Sequence, residues 1–427
     1  MTLCEKIQCQ FNNSHTGISI PNQPFAYQSF EQDAPKMNEY QNSIALPFTI
    51  IIILLFSGCA MPEGPVPLSG DVPEAEGWAT ETVIDGLEQP WSIAWLPDST
   101  FMISERTGQL LYFEDYQAEP MQISGLPEIY VDGQGGLMDI TVHPAYLENR
   151  WVFLTYSSGD EDSNQTTVAR AVLNVEEQRL ENVEEIFKVS PDKDSNQHFG
   201  SRIVWTSNST FALSIGDGGN RPVKTEGVLS RKHAQMLDSH LGKILHLTQN
   251  GEPADENPFL NERDVFPEIW SYGHRNIQGL AYDEESGRLW ANEHGSRGGD
   301  ELNLIKPGEN YGWPEVTYSR EYWYTKITSE TSKPGMVDPK VVWTPAQAPS
   351  GLLFYTGEAF PEWQGDLFSG GLQGEQVRRI ILDGESVIGE EKIPIGRRVR
   401  DVKQGPDGYI YVLTAHDEGE LIRIIPE

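Results

Sequence analysis

Between residues 78 and 427 the chain repeats one pattern six times: a short apolar strand, a polar turn holding Pro, Asp, Gly or Ser, then an alternating strand and often another. The copies lie at 89–113, 135–157, 200–219, 277–295, 350–371 and 399–425, and helical 3.6-residue periodicity is nearly absent between them. Internal repetition at this spacing restricts the fold more than any other feature, because no single unit can bury its own apolar face and each must lean on a neighbour. A β-sandwich of this length would need two domains with a break between them. Six similar units of about fifty to seventy residues instead match four-stranded blades around a channel. The expectation is all-β, one six-bladed β-propeller over 78–427. Radial closure leaves few free strand edges, which keeps an almost all-β chain from edge-to-edge association.

Ahead of the repeats the sequence carries an address. "IALPFTIIIILLFSGCA" at 44–60 is apolar but short and Pro-interrupted, which fits a signal-peptide core better than a membrane span. Small residues precede Cys59 as in a bacterial lipoprotein cleavage box. Residues 1–58 are therefore expected to be a removed leader, with Met37 as initiator, and Cys59 to become the lipidated first residue. The segment 59–77 is rich in Pro, Gly and acid and reads as a flexible tether. The protein is expected to be exported, periplasmic or cell-surface, with membrane contact only through the lipid.

Charge and cysteine usage exclude whole classes. Lys and Arg number 31 against 64 Asp and Glu, a net charge of -33, which repels nucleic-acid phosphates over most of the surface. Cys4 and Cys9 precede the cleavage point, so the mature chain would hold Cys59 alone. Disulfide frameworks, thiol catalysis and Cys-based zinc sites fall away together.

In a propeller the innermost strand of each blade lines the channel, and the loops before it crowd one mouth. If "IQGLAY" is such a strand in blade four, then His274, Arg275 and Asn276 of "GHRNIQGLAY" stand on the rim. Equivalent positions carry "DGQG" with Gln134, "NQHFGSR" with His198, "WTPAQAPSG" with Trp343, and "GRRVRD" with Arg398 and Arg400. Guanidinium forks bind carboxylates bidentately and a Trp face covers a planar ring, so the set suits a flat polyanion. Taken singly, each has a plainer reading: Arg400 paired with Asp401, His198 as a hydrogen-bonded structural residue, Trp343 as packing between blades. A second cluster, "NEHGSRGGDELNLIKPGENYGWP" at 292–314, offers Glu293, Asp300 and Glu301 with carbonyls freed by a Gly-rich turn. These are hard oxygen donors suited to calcium, though a solvated acidic turn has the same composition.

In order along the chain, "DGQGGL", "HFGSR", "GHRNIQGLAY", "NEHG" with "GGDELNLI", "NYGWP", "APSG" and "RRVRDV" resemble the soluble quinoprotein sugar dehydrogenases, the glucose/sorbosone dehydrogenase group that uses pyrroloquinoline quinone (PQQ). The resemblance covers essentially all of 78–427 and is closer to the aldose sugar dehydrogenase branch. It implies oxidation of aldose sugars to lactones, with hydride passing from the anomeric carbon to the quinone and on to a downstream electron acceptor. By that resemblance His198 is the general base, and Gln134, Arg275, Asn276, Arg398 and Arg400 surround the cofactor, with Trp343 stacking on it. His294 and Asp300 lie near the substrate. Gly295 and Ser296 hold a cofactor-bridging calcium (Ca2+) through their carbonyls, and Glu301 and Tyr311 contribute to a second, structural one.

Two departures stand out. Gln373 occupies the place where many relatives carry a cofactor-facing Lys, and Trp343 is offset by one residue in its loop. The alternatives are a calcium-dependent propeller lactonase, which needs a central metal held by side chains from several blades, and a propeller that binds sugar or a partner without chemistry.

Overall fold

A computed structural model describes residues 63–427; the leader and Cys59 lie outside the described residues. Six blades, each of four antiparallel strands, follow one another along the chain, with a fifth, parallel strand added to the edge of blade four, and each blade begins with a short strand that faces the centre. The six inner strands are Pro90–Trp95, Leu137–Val142, Ile203–Trp205, Ile277–Asp283, Pro349–Phe354 and Val399–Gln404, and neighbouring inner strands pack in a ring. The expected propeller is observed, and "IQGLAY" is the inner strand of blade four.

The turns follow from local chemistry. Asp98, Asp283 and Asp407 each turn a side-chain oxygen back onto an amide two residues on, at 3.2, 3.1 and 3.2 Å. Such Asx turns offer the backbone a hydrogen bond that a continuing strand would not supply. In the last of them Gly408 takes φ 82°, a left-handed geometry that a side chain would resist.

The core is divided among the blade interfaces. Apolar clusters fill each of the six seams, for example Met102, Tyr112, Leu137 and Leu154 between blades one and two, and Trp290, Leu302, Leu352 and Ile380 between four and five. Both faces of a central strand such as Phe101–Glu105 are buried, so these strands read as nearly continuous apolar runs. The ring is closed by Trp78–Leu87, which pairs antiparallel with Gly419–Pro426 and supplies the fourth strand of blade six.

Two expectations change. From Glu63 onward the Pro-rich segment is not a free spacer: Leu68–Ser69 pairs in parallel with the outer strand of blade four, Arg378 donates to the Gly70 carbonyl at 2.8 Å, and Glu74 bridges to Lys392. Trp343 is 1% exposed within the seam between blades four and five, and its indole N–H donates to Glu390 at 2.7 Å. It ends the outer strand of blade four, the fourth counted from the channel, so it stacks on nothing at the mouth.

At the hub a single guanidinium joins the blades. Arg202, 1% exposed, pairs with Asp139 at 3.0 Å and Asp401 at 3.1 Å, donates to the Gln278 carbonyl at 3.2 Å and lies 4.4 Å over Trp91. Asp401 is thus spent on Arg202 rather than on its neighbour Arg400, because adjacent strand residues face opposite ways.

Candidate active site

The inner-strand ends enclose a cavity of about 340 Å³ at one mouth of the channel. Its floor is an apolar cluster of Trp91, Met138 and Phe199, one residue each from blades one, two and three. Gln134, Asn276, Gln278, His294 and Gln373 line it together with Arg106, Arg398 and Arg400, and no carboxylate does. Of the sequence-derived residues, Gln134, Asn276, His294, Arg398 and Arg400 therefore meet in one place.

The electrostatics of this lining are unbalanced. Arg400 donates to the Gln278 amide oxygen at 3.2 Å and lies 5.9 Å over Trp91, and burial followed by the positive neighbours Arg202, Arg398 and Arg106 pulls it down to about 9. Arg106 is held by the carbonyls of Gly133 and Gly135 at 2.7 and 3.1 Å. Gathered guanidinium charge in a protein of net charge -33 is costly without an anion to meet it. A rigid aromatic floor under a crown of cations is complementary to a planar ring bearing carboxylates, so the residues present fit PQQ.

His198 lies behind this cavity, 3% exposed. Its backbone N–H donates to Gln134 Oε1 at 2.8 Å, and its φ of 50° turns the ring inward. Nδ1 meets Asp217 Oδ1 at 2.6 Å, while Asp217 Oδ2 accepts the Trp313 indole N–H at 2.8 Å. Burial first, then Arg275, holds the imidazole below its usual range, outweighing the upward pull of Asp217. The ring is accordingly neutral with its proton on Nδ1, which leaves the Nε2 lone pair free to accept; Asn220 Nδ2 approaches it at 3.3 Å. Asp217, itself held low by His198 and Arg275 against its own burial, was missed in the sequence reading although it sits in "SIGDGG". Trp91, also missed, is the second residue of the blade-one inner strand, the position that Gln278 takes in blade four and Arg400 in blade six.

Arg275 is buried one layer deeper than expected. It donates to the carbonyls of His294 and Gly295 at 2.8 and 2.7 Å and to Asn220 at 2.7 Å, with its Nε unpartnered. His274 is not on the rim but in the core, between Ser271 and Glu293 at 2.9 Å each and stacked on Tyr311. His294 donates from Nε2 to the Pro349 carbonyl at 2.7 Å, and burial with Arg275 pushes it down to about 3, so it presents a neutral Nδ1 acceptor. Asp300, expected beside the substrate, lines neither this cavity nor the next. Its oxygens accept the N–H groups of Gly295, Gln347 and Ala348 at 2.7, 2.6 and 2.7 Å, and it thereby fixes two mouth loops.

A second cavity of about 10 Å³ adjoins through His294 and is lined by Glu293, Glu301 and Tyr311 among others. That volume suits one small occupant. Burial, and then the charge of Glu293, raises Glu301 well above the usual carboxylate range, so a cation there would relieve an unfavourable arrangement. Glu301 fits a calcium ligand. Tyr311 can contribute only its main chain, because its hydroxyl donates to the Leu304 carbonyl and accepts from Lys306 N–H. The bridging site fits less well: the Gly295 carbonyl, one of its two expected ligands, already accepts from Arg275 at 2.7 Å.

Among the described residues no helix is long and apolar enough to cross a membrane. The sequence over 87–423 matches the family described as Glucose / Sorbosone dehydrogenase. An uncharacterized protein of Synechocystis is 50% identical over 352 residues, covering 80% of this chain and 85% of its own. The apo crystal structure of the soluble aldose sugar dehydrogenase from Escherichia coli superposes with a TM-score of 0.76 at 36% identity, covering 82% of this chain and all of that one. The PQQ-bound aldose sugar dehydrogenase from Streptomyces coelicolor gives 0.67 at 26% identity, covering 83% and 100%.

Proposed function

Because this chain belongs to the Glucose / Sorbosone dehydrogenase family, we propose that it oxidises aldose sugars at the anomeric carbon to lactones, with PQQ as cofactor. The observation that carries the reading is the pairing of an arginine-crowned, carboxylate-free cavity with a buried His198–Asp217 couple behind it. Bound in the cavity, the quinone would supply a two-electron acceptor for the sugar's hydride. Everything else falls to the protein. Arg106, Arg398 and Arg400 would hold the carboxylates, Trp91 would support the ring plane, and the Gln134 and Asn276 amides would fix its orientation. His198 Nε2 would take the hydroxyl proton of the sugar, while Asp217 keeps Nδ1 protonated and offsets the charge that forms on the ring. Gln373 supplies a neutral contact where many relatives place a cation.

Glu301, with Glu293 beside it, would bind calcium as a structural ion that holds the 293–301 loop. The lactonase alternative requires carboxylates around the central cavity, and the lining supplies none. Export, lipid attachment at Cys59 and transfer to a downstream acceptor at the cell envelope belong to the same reading. A mature N-terminus carrying diacylglycerol on Cys59 would support the anchor; an unmodified one would remove it.

The test is reconstitution. Apo-protein given calcium and PQQ should reduce a dye with a panel of aldoses, and His198→Ala should abolish turnover while leaving quinone binding nearly intact. No dye reduction with any aldose would end the dehydrogenase reading, and lactone hydrolysis in its place would favour the rival enzyme.

A further inference from the structure

The large aromatic side chains left exposed among the described residues fall on three consecutive positions: Tyr322, Trp323 and Tyr324, 52%, 50% and 52% exposed. They cap a hairpin-like loop. At its base Thr317 N–H donates to the Glu330 carbonyl at 3.0 Å, higher up Arg320 bridges to Lys326, and just below the tip Glu321 N–H donates to the Thr325 carbonyl at 2.9 Å. Glu321 is 5% exposed and takes both arms of Arg231, at 3.0 and 3.2 Å. Bidentate pairing of this kind fixes geometry as well as charge. Three rings held out in water by a fixed stem mark a contact surface.

Two further observations say what the tip meets. The first is where the chain enters. Glu63 lies at the foot of this same loop: its carbonyl accepts from Thr331 Oγ1 at 3.0 Å, Val66 N–H donates to the Tyr318 hydroxyl at 3.0 Å, and a Cβ on Gly64 would collide with both of those side chains. Cys59, the expected lipid carrier, is four residues earlier, a reach of about 14 Å at most. Trp323 is five residues beyond Tyr318, about 17 Å of extended chain. A protein held at Cys59 therefore keeps the foot of the loop closer to the bilayer than the loop's own length. The second observation is charge. From Tyr318 to Thr328 the only acidic residue is Glu321, spent on Arg231, whereas Arg221, Arg297 and Lys326 stand exposed around the tip. Arg221 lies 5.9 Å from the Trp323 ring and Arg297 3.8 Å from that of Tyr324. In a chain of net charge -33 this is a local reversal, and acids more than about 10 Å away are largely screened at 0.1 M salt.

We propose that the Tyr322–Tyr324 tip, with Arg221, Arg297 and Lys326, is a membrane-docking surface that seats in the headgroup region of a lipid bilayer beside the anchor. Trp and Tyr rings are amphipathic and settle at the level of the headgroups, where guanidinium and ammonium groups meet lipid phosphate. The tip lies in the interface while the wheel stays in water. Sequence placed membrane contact on the lipid alone; the tip adds a protein contact that sets the orientation of the domain, and in this it extends the lipid-anchor reading. Asn220, next to Arg221, approaches His198 Nε2 at 3.3 Å, so the tip stands on the mouth side of the wheel and docking turns that side toward the membrane.

The experiment replaces the lipid by hexahistidine ahead of residue 60, which leaves a mature chain without cysteine, and tethers it to phosphatidylethanolamine/phosphatidylglycerol vesicles holding a nickel-chelating lipid. A fluorophore is placed on Thr325→Cys, beside the tip, or on Leu147→Cys, 82% exposed past the far end of the inner strand Leu137–Val142, and nitroxide on the lipid chains serves as quencher. Quenching should be at least about twofold at 325 and absent at 147. Trp323→Ala combined with Tyr324→Ala should bring the signal at 325 down to that at 147 with the protein still tethered, which separates seating of the rings from mere proximity. Equal quenching at both positions, or a signal that survives loss of the rings, would overturn the proposal. No quenching at either position would also overturn it and leave the tip to a protein partner. The N-terminal mass of the exported protein tests the lipid separately, so an unmodified Cys59 would end the anchor reading while the vesicle result still decides the tip.

Discussion

Asp217→Asn changes one charge and almost no volume, so it isolates what the carboxylate does for His198. Both oxygens of Asp217 are acceptors: Oδ1 faces His198 Nδ1 at 2.6 Å and the Gly219 N–H at 3.2 Å, and Oδ2 faces the Trp313 N–H at 2.8 Å. An amide cannot satisfy both sides. With its NH2 toward Trp313 it sets donor against donor. With its NH2 toward His198 it makes Nδ1 the acceptor and moves the ring proton to Nε2, where the base is needed. The wrong tautomer in a comparable His–Asp couple costs up to about 10⁴ in kcat, so a fall of about 10²–10⁴, or about 3–5 kcal/mol in barrier, is expected. The sign of the pH effect follows from the causes. Burial and Arg275 already hold His198 below its usual range and Asp217 pulls it up, so losing the charge moves the acid limb of kcat/KM to lower pH. Steady-state dye reduction across pH, with quinone affinity from absorbance titration as a control, measures both. Near-wild-type kcat, or an acid limb shifted upward, would refute the reasoning.

Three further outcomes test the structure at other points. Trp343→Phe should lose the bond to Glu390 and about 1–3 kcal/mol of stability in denaturant unfolding, with PQQ affinity unchanged; weakened cofactor binding would return Trp343 to the mouth. Arg202→Met leaves Asp139 and Asp401 buried without their partner and should destabilise the protein by about 3–5 kcal/mol, read as a lowered midpoint. Calcium should raise the Tm of the apo-protein, by about 2.7 kcal/mol in stability at a hundredfold excess over Kd, and more at pH 8 than at pH 5, because Glu301 must lose its raised proton to bind. Glu301→Gln should abolish that gain, and a gain that survives the substitution would place the ion elsewhere.

The wheel was legible because repetition encodes it: six strand–turn–strand units gave the blade count, the inner strand of blade four and the mouth on which Gln134, Asn276, Arg398 and Arg400 converge. What failed was side-chain direction. Trp343 ends an outer strand and alternation alone decides which seam it enters, while His274 and Arg275, adjacent in sequence, separate into the core and the layer behind the cavity. Sequence order likewise suggested Arg400 beside Asp401, yet the pleat sends one to the cavity and the other to Arg202. Asp217 was hidden for a different reason. Its partner His198 is 19 residues away across a blade, and only the packed loops show that the two rings of contact share one carboxylate.

The strand that completes blade six is drawn from both extremities of the domain, Trp78–Leu87 against Gly419–Pro426. On the ribosome, the earlier half of that pair emerges long before its mate exists. Five blades can assemble as they appear, but the last seam must wait until Gly419–Pro426 has been made, with an unpaired edge exposed meanwhile. Joining such distant segments also carries a large loop-closure cost, so latching of this final sheet is expected to set the pace of maturation.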